Sequence, residues 1–212
     1  MEEQIAIIIA LIISIVLHEM AHGYAANALG DPTARLQGRL SPNPLVHIDP
    51  LGSVIIPGFL ILAGSGILFG WAKPVPYNPY NLRNRKWGEA LVAAAGPATN
   101  FLLAFIFAMI IRSADMLGLS ASFVELAKYI VYINILLACF NLIPFPPLDG
   151  SKIFPALLPF SAQMQYQRFV KTIEGYGFLV TFIFIFIFIN LLWGPFSLIL
   201  GNIFELFTGM RF

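Results

Sequence analysis

Residues 12–26 read IISIVLHEMAHGYAA, and this stretch combines two properties that rarely occur together. It lies inside the apolar run 4–29, which can cross a bilayer because a spanning helix needs about 20 mostly apolar residues. Yet it carries two histidines and a glutamate, and ionisable side chains inside a membrane are costly, rare and usually functional. The stretch therefore predicts a membrane helix that contains a functional site.

The composition of the whole chain is that of a polytopic membrane protein. Of its 212 residues, 58% are hydrophobic and 11% are charged, whereas soluble proteins have about 45–50% and about 25%. A net charge of +1 with no basic tract argues against a nucleic-acid-binding protein. The single cysteine excludes an intramolecular disulfide framework and a cysteine-rich metal site. The acidic start MEEQ predicts that no signal peptide is removed.

Apolar runs and chain breaks predict an all-α polytopic protein with about five transmembrane helices. The predicted helices, of which the last is interfacial or half-spanning, are 4–29, 89–112, 123–143, 175–192 and 196–209. Because no separate soluble domain is expected, we predict one integral-membrane domain. It covers residues 1–212, with a catalytic core at about 4–155 and C-terminal helices at 175–209.

The apolar segment 51–70 is broken by Pro57-Gly58 and by further glycines, which favours a re-entrant segment over a full span. Two polar, turn-rich loops flank it, and we expect short β-strands in both, within 31–50 and 71–88.

Loop charges also favour a segment 51–70 that returns to the side from which it came. If it crossed, seven basic residues would oppose four. If it returns, nine lie on one side and two on the other: Arg35, Arg39, Lys73, Arg83, Arg85, Lys86, Lys152, Arg168 and Lys171 against Arg112 and Lys128. The positive-inside rule then places the nine in the cytoplasm and the N-terminus outside. We expect a multi-pass protein of the plasma membrane with its site nearer the cytoplasm.

The residues His18-Glu19-Met20-Ala21-His22 form the pattern H-E-x-x-H. At 3.6 residues per turn, His18 and His22 share one helix face, where their imidazoles can bind one Zn²⁺ ion. Glu19 lies one position round the helix and can reach a zinc-bound water. The alternative is a chance match with a packing role, which the intramembrane position of three polar groups disfavours.

A catalytic zinc site needs a third protein ligand and an open position for water. Asp149 is the best candidate because it follows Pro146-Pro147 and precedes Gly150, where prolines stop a helix and glycine permits an unusual turn. Its alternative role is to cap the helix after Gly150. His18 and Asp149 meet most easily if segment 51–70 does not change sides, which the loop charges favour independently.

Together these motifs resemble the site-2 protease family of intramembrane zinc metalloproteases. H-E-x-x-H is followed by N-x-x-P-x-x-x-L-D-G, and the intervening Gly96-Pro97-Ala98-Thr99-Asn100 resembles the family's G-P-x-x-N. The second motif consists here of Asn141, Pro144, Leu148, Asp149 and Gly150. The resemblance spans residues 4 to about 155. Because PDZ and CBS domains are common in the family and neither is found, the chain resembles a minimal form.

The resemblance implies one zinc ion per chain, held by His18, His22 and Asp149. It implies that Glu19 is the general base for hydrolysis of a peptide bond by zinc-activated water. The implied substrates are single-pass transmembrane proteins, which must be locally extended before attack. His47, the remaining histidine, is then a loop residue with local hydrogen bonds rather than an alternative ligand. The oligomeric state is not predicted.

Five residues are candidate substrate-binding residues. Asn100 and Asn141 are amides on apolar helices, and they could bind substrate backbone, support other site residues, or make ordinary interhelical hydrogen bonds. Trp71, Ala72 and Lys73 begin the segment WAKPVP, which resembles the family's edge strand near the active site. An extended substrate could pair there by strand addition. The alternative is an interfacial loop with Trp71 as a membrane anchor.

Two other functions are weighed against the protease. A catalytically inactive relative that binds transmembrane helices is disfavoured because Glu19 and every proposed ligand are present. A metal transporter would need polar residues along a path, and the predicted helices 89–112 and 175–192 hold few.

Overall fold

The computed structural model describes residues 2–62, 70–84 and 86–211. All regular secondary structure within these residues is helical. Its α-helices are α1 Glu2–Ala28, α2 Thr33–Leu36, α3 Ile56–Leu62, α4 Gly88–Arg112, α5 Ala114–Leu117, α6 Ala121–Asn141, α7 Gly150–Ile153, α8 Phe160–Gly175, α9 Phe178–Ile187 and α10 Trp193–Thr208. π-Helical turns at Pro50–Ile55 and Phe188–Leu192 precede α3 and α10, and 3-10 turns lie at Pro44–His47, Pro79–Asn81 and Phe154–Leu157. The predicted all-α class is confirmed.

Within the described residues, four helical stretches are long and apolar enough to span a membrane, where about five were predicted. They are Gln4–Ala28, Gly88–Arg112, Ala121–Asn141 and Leu179–Thr208. The predicted helices 175–192 and 196–209 form one stretch because the chain stays helical through Trp193-Gly194-Pro195. A proline ring crowds the preceding turn, and the wide π-turn directly before α10 gives it room. The chain is a multi-pass membrane protein.

The β-strands predicted within 31–50 and 71–88 are not confirmed in the described part of these loops. Two isolated backbone hydrogen bonds join the loops: Trp71 N–H donates to the Gly52 carbonyl, and Lys73 N–H to the His47 carbonyl. The next N–H in this alternating pattern, that of Val75, donates to the Glu19 side chain instead, so the two bonds do not extend into a longer ladder.

The beginning of segment 51–70 lies next to Trp71, the residue that follows its end. Besides the bond from Trp71 to Gly52, Ser53 Oγ donates to the Trp71 carbonyl at 2.8 Å. A Cβ atom on Gly52 would lie 2.3 Å from the Trp71 ring, so this contact needs glycine. Residues 63–69, including the predicted break at Gly64-Ser65-Gly66, lie outside the described residues. The two ends of the segment are therefore bonded to each other.

The centre of the molecule is formed by α1, α4 and α6, with α4 packed against both of the others. The buried residues at these contacts are mostly small, which lets the helix backbones approach closely: Ala90, Ala93, Ala104 and Ala108 on α4, and Ala127 and Ala138 on α6. Helix α10 packs Leu200 and Phe204 against α4 and α6. This close approach brings side chains of three helices to one point.

Asp31 ties the end of α1 to the loop before α4. Its side chain is fully buried, and it accepts hydrogen bonds from Thr33 N–H and Oγ1–H, from Asn78 N–H and from Asn81 Nδ2–H. Burial by itself raises the pKa of Asp31, but these four donors lower the pKa by more, so it lies below its usual value.

We expect Asp31→Asn to lower the free energy of unfolding by about 1–3 kcal/mol, because the new NH₂ group would face a donor. The thermal unfolding midpoint in detergent measures this, with the exposed Asp115→Asn as control. The lowered pKa also predicts that wild-type stability falls as the pH drops below about 3.9, the ordinary carboxylate pKa, towards the folded pKa. Equal midpoints for the two variants at pH 7 would contradict this role.

Candidate active site

The structure brings His18, His22 and Asp149 together, with one ligand atom of each within 4.8 Å of the others. Asp149 Oδ2 lies 3.1 Å from His18 Nε2 and 3.3 Å from His22 Nε2. In a tetrahedral zinc site with bonds of about 2.0–2.1 Å, neighbouring ligand atoms are about 3.3 Å apart. Both distances to Asp149 are close to this value, and the three donors have the chemistry that one zinc ion requires.

Helix α4 passes close to the two imidazoles at Gly96. A Cβ atom at this position would lie 2.5 Å from His22 Nε2 and 2.6 Å from His18 Nε2, closer than any real Cβ contact. The missing side chain thus leaves a space beside the ligand nitrogens that a methyl group would fill. A metal ion fits this donor set and this space.

Asp149 comes from the turn between α6 and α7, and the turn depends on Gly150. A Cβ there would lie 2.3 Å from the Leu142 carbonyl oxygen, so only glycine permits this approach. Asp149 makes no side-chain capping bond to α7, although it occupies the N-cap position. Burial raises the pKa of Asp149, but its bonds to His18 and His22 bring the pKa well below its usual range, so the group is a carboxylate.

The Nδ1 atoms of both histidines face acceptors. His22 Nδ1 lies 2.8 Å from the Val92 carbonyl oxygen, and His18 Nδ1 lies 2.5 Å from Asn100 Oδ1. Each Nδ1 therefore carries a proton, which leaves Nε2 of each histidine, beside Asp149, as the atom that can bind a metal ion. Sequence reasoning missed Val92, because its contribution is a backbone carbonyl, which every residue has.

Glu19 accepts a hydrogen bond at Oε2 from the Val75 N–H, at 3.0 Å. Val75 stands between Pro74 and Pro76, so it has the only backbone donor of that tripeptide. The backbone thus presents a single N–H to the carboxylate and holds it beside the two histidines. Val75 was also missed, although the P-V-P pattern marks this donor.

A cavity of about 540 Å³ adjoins these groups. Its walls include His18, Glu19, His22 and Asp149, the loop residues Trp71, Ala72, Val75 and Tyr77, Asn141 of α6, and Thr181, Phe184 and Ile185 of α9. Three predicted substrate-binding residues, Trp71, Ala72 and Asn141, therefore line it. So does Lys152, which was not predicted and has its Nζ 5.2 Å from the Tyr77 ring centroid.

Three other predicted or considered residues lie away from the cavity. Asn100 is fully buried, and its Nδ2 donates to Asn134 Oδ1. The Lys73 backbone is bonded to His47 and, through its carbonyl, to Arg39 Nη2. His47 is buried and donates locally from Nε2 to the Ser41 carbonyl at 2.9 Å.

The chain is similar to several known proteins. It is 37% identical over 180 residues to "Putative zinc metalloprotease YwhC" of Bacillus subtilis, covering 82% of this chain and 77% of that protein. It is 29% identical to "Putative zinc metalloprotease Rip2" of Mycolicibacterium smegmatis, covering 83% and 64%. It is 25% identical to "Zinc metalloprotease MJ0392" of Methanocaldococcus jannaschii, covering 80% and 38%. The aligned part is thus less than two thirds of the latter two. No solved structure matches the chain.

The family comparison gives the same result over a longer range. The sequence model described as "Peptidase family M50" matches residues 6–118 and 115–188, which include the H-E-x-x-H pattern, Gly96 and Asp149. Since this match covers most of the chain and agrees with the site-2 protease resemblance, the chain belongs to peptidase family M50, the family of the site-2 proteases, and is a metalloprotease.

Proposed function

We propose that this protein is an intramembrane zinc endopeptidase that cleaves transmembrane segments of single-pass proteins. His18, His22 and Asp149 hold one zinc ion per chain, and Glu19 is the general base. The observation that carries the proposal is the convergence of these four side chains on one cavity, although Asp149 is 131 residues from His18. The names of the relatives, which describe zinc metalloproteases, support the choice of metal.

The residues of the chain divide the chemistry between them. When bound, zinc supplies Lewis-acid activation of a water molecule and of the peptide carbonyl. Because the Val75 N–H engages Oε2 of Glu19, we assign the proton transfer to Oε1. Glu19 holds the proton that the water gives up and passes it to the leaving amine nitrogen. The Val75 bond keeps the carboxylate turned towards the histidines throughout.

The substrate backbone is proposed to pair with Ala72. The neighbours of Ala72 use their N–H groups elsewhere, Trp71 on Gly52 and Lys73 on His47, while Ala72 lines the cavity. Because Pro74 and Pro76 lack donors, Ala72 is the one residue of this run whose N–H and C=O can both bond an extended peptide. Trp71 and Asn141 line the cavity beside it. Lys73 holds residues 71–76 in place through its backbone bonds to His47 and Arg39.

We further propose that segment 51–70 is re-entrant and that the site lies nearer the cytoplasmic face of the plasma membrane. The bonded ends of the segment support one side for both polar loops. The nine basic residues that would then share this side, six of them in those loops, support the cytoplasmic side. The lipid bilayer surrounds the four spans.

Metal loading and cleavage test the proposal together. We expect detergent-purified protein to bind one zinc per chain and to cleave members of a panel of single-pass substrates. Chelation abolishes cleavage and zinc restores it. We expect Asp149→Ala to weaken zinc binding more than 100-fold, beyond the roughly 10–100-fold effect of an outer-shell partner. Glu174→Ala is the matched control, because Glu174 is another carboxylate at the same cavity.

Each other result has a definite meaning. Full zinc affinity and activity in Asp149→Ala would rule out the assigned ligand. Zinc at one equivalent without cleavage of any substrate would favour the inactive helix-binding relative. Zinc flux into liposomes that contain the protein would favour the transporter.

A further inference from the structure

His18 and His22 have different kinds of partner at Nδ1. The His22 partner is a backbone carbonyl, that of Val92, which can only accept. The His18 partner is the side-chain amide of Asn100, which has an accepting end and a donating end of nearly the same shape. For His18, the protonated nitrogen therefore depends on which way the Asn100 amide is turned.

A second buried amide controls that orientation. Asn134 of α6 lies 2.8 Å from Asn100, with its Oδ1 facing Asn100 Nδ2. Its own Nδ2 donates to the Ile130 carbonyl and to Ser14 Oγ, both at 2.9 Å. Asn100 and Asn134 are both fully buried between the three central helices, so no water competes for their hydrogen bonds.

The hydrogen bonds run in series from Ile130 through Asn134 and Asn100 to His18. The direction of each of them follows from the Ile130 carbonyl. That oxygen can only accept, so the NH₂ of Asn134 must face it and the Asn134 oxygen must face Asn100. The NH₂ of Asn100 then faces Asn134, and the Asn100 oxygen faces His18. A proton of His18 is therefore on Nδ1, which leaves Nε2, on the side of Asp149, as the nitrogen that can bind a metal ion.

We propose that Asn134 is a positioning residue that sets the tautomer of His18 through Asn100. The proposal rests on the zinc-binding role of His18 proposed above. With Asn100 reversed, its NH₂ would face Nδ1, the proton would move to Nε2, and Nε2 could no longer bind a metal ion. Asn134 touches neither metal nor substrate, and it acts by making the reversed arrangement unfavourable.

A purely structural role for Asn134 predicts a different outcome. Interhelical hydrogen bonds of this kind stabilise helix association, so a structural role changes the stability of the metal-free protein. A positioning role changes the zinc affinity as well. Without Asn134, the His18 proton can occupy Nε2, and it must move to Nδ1 before zinc can bind. Zinc affinity and metal-free stability therefore separate the two.

The experiment is zinc competition with a chelator in detergent, with thermal unfolding of the metal-free protein in parallel. We expect Asn134→Leu to weaken zinc binding about 10-fold, the lower end of effects seen for outer-shell partners. Thr208→Val is the matched control, because Thr208 is a buried polar residue of a spanning helix that bonds to the Phe204 carbonyl, away from the site. It should leave zinc affinity unchanged. Asn134→Ala provides the same measurement if Asn134→Leu does not fold.

A rescue variant makes the test specific. In Asn100→Asp both side-chain oxygens accept, so either orientation satisfies the Nδ1–H of His18. Adding Asn134→Leu to Asn100→Asp should therefore weaken zinc binding less than about 2-fold, compared with about 10-fold for Asn134→Leu in the wild type. An equal loss of zinc affinity in the wild-type and Asn100→Asp backgrounds would overturn the proposal. So would a result in which Asn134→Leu lowers the stability of the metal-free protein and leaves its zinc affinity unchanged.

Failure of this inference is distinguishable from failure of the proposed function. If His18→Ala binds zinc as tightly as the wild type, the ligand assignment itself is wrong. If His18→Ala loses zinc while Asn134→Leu and Asn134→Ala keep it, the ligand assignment stands and only the role of Asn134 is wrong.

Discussion

Replacing Glu19 by glutamine is expected to reduce kcat by about 10²–10⁴-fold, the usual contribution of a general base, while zinc stays bound. The amide oxygen of glutamine can still accept the Val75 N–H, so the side chain keeps its place. It cannot take a proton from water, which removes only the chemical step. Initial cleavage rates on reconstituted transmembrane substrates measure the loss, and metal analysis of the same preparation measures the zinc.

The control for Glu19→Gln is Glu174→Gln, which changes a carboxylate of the same cavity and should keep full activity. Equal cleavage by Glu19→Gln and the wild type would show that the base has been assigned wrongly. Loss of zinc together with activity would mean that Glu19 acts on the metal site and not as a base alone.

Replacing Gly96 by alanine is expected to weaken zinc binding more than 100-fold and to abolish cleavage. The new methyl carbon would lie 2.5–2.6 Å from the two Nε2 atoms, closer than van der Waals contact permits. Either α4 moves away from α1 or the imidazoles turn aside, and both changes separate the three donor atoms. A shift of this kind exceeds the tolerance of about 0.5 Å that a preorganised site allows.

Gly201→Ala is the matched control, since it adds the same methyl group to a spanning helix where nothing lies within 4 Å. It should bind zinc as the wild type does, and it should be slightly more stable because alanine favours a helix by about 0.5–1 kcal/mol over glycine. Wild-type zinc affinity in Gly96→Ala would contradict the close approach of α4 to the two histidines.

Local sequence patterns predicted the parts of the site that lie on one element. The pairing of His18 with His22 follows from helical periodicity alone, and Asp149 was identified from the prolines and glycine beside it. The all-helical class followed from the apolar runs. The count of spans was too high, because the π-turn that carries the last helix through Pro195 has no clear local signature.

The partners that orient these groups could not be predicted, because they come from other elements. Val92, Val75 and Asn134 reach the site from α4, from the loop before it and from α6. Two of them act through backbone groups, which every residue possesses. Only at Val75 does the sequence mark the donor, through the prolines on either side.

By itself, the sequence determined which groups can bind a metal and move a proton, because the identity and the local spacing of side chains are properties of a short segment. The tertiary structure alone decided which nitrogen of each histidine faces the metal position. That choice depends on acceptors at Val92 and, through two amides, at Ile130, and only the packing of small residues between α1, α4 and α6 brings these acceptors within hydrogen-bonding distance.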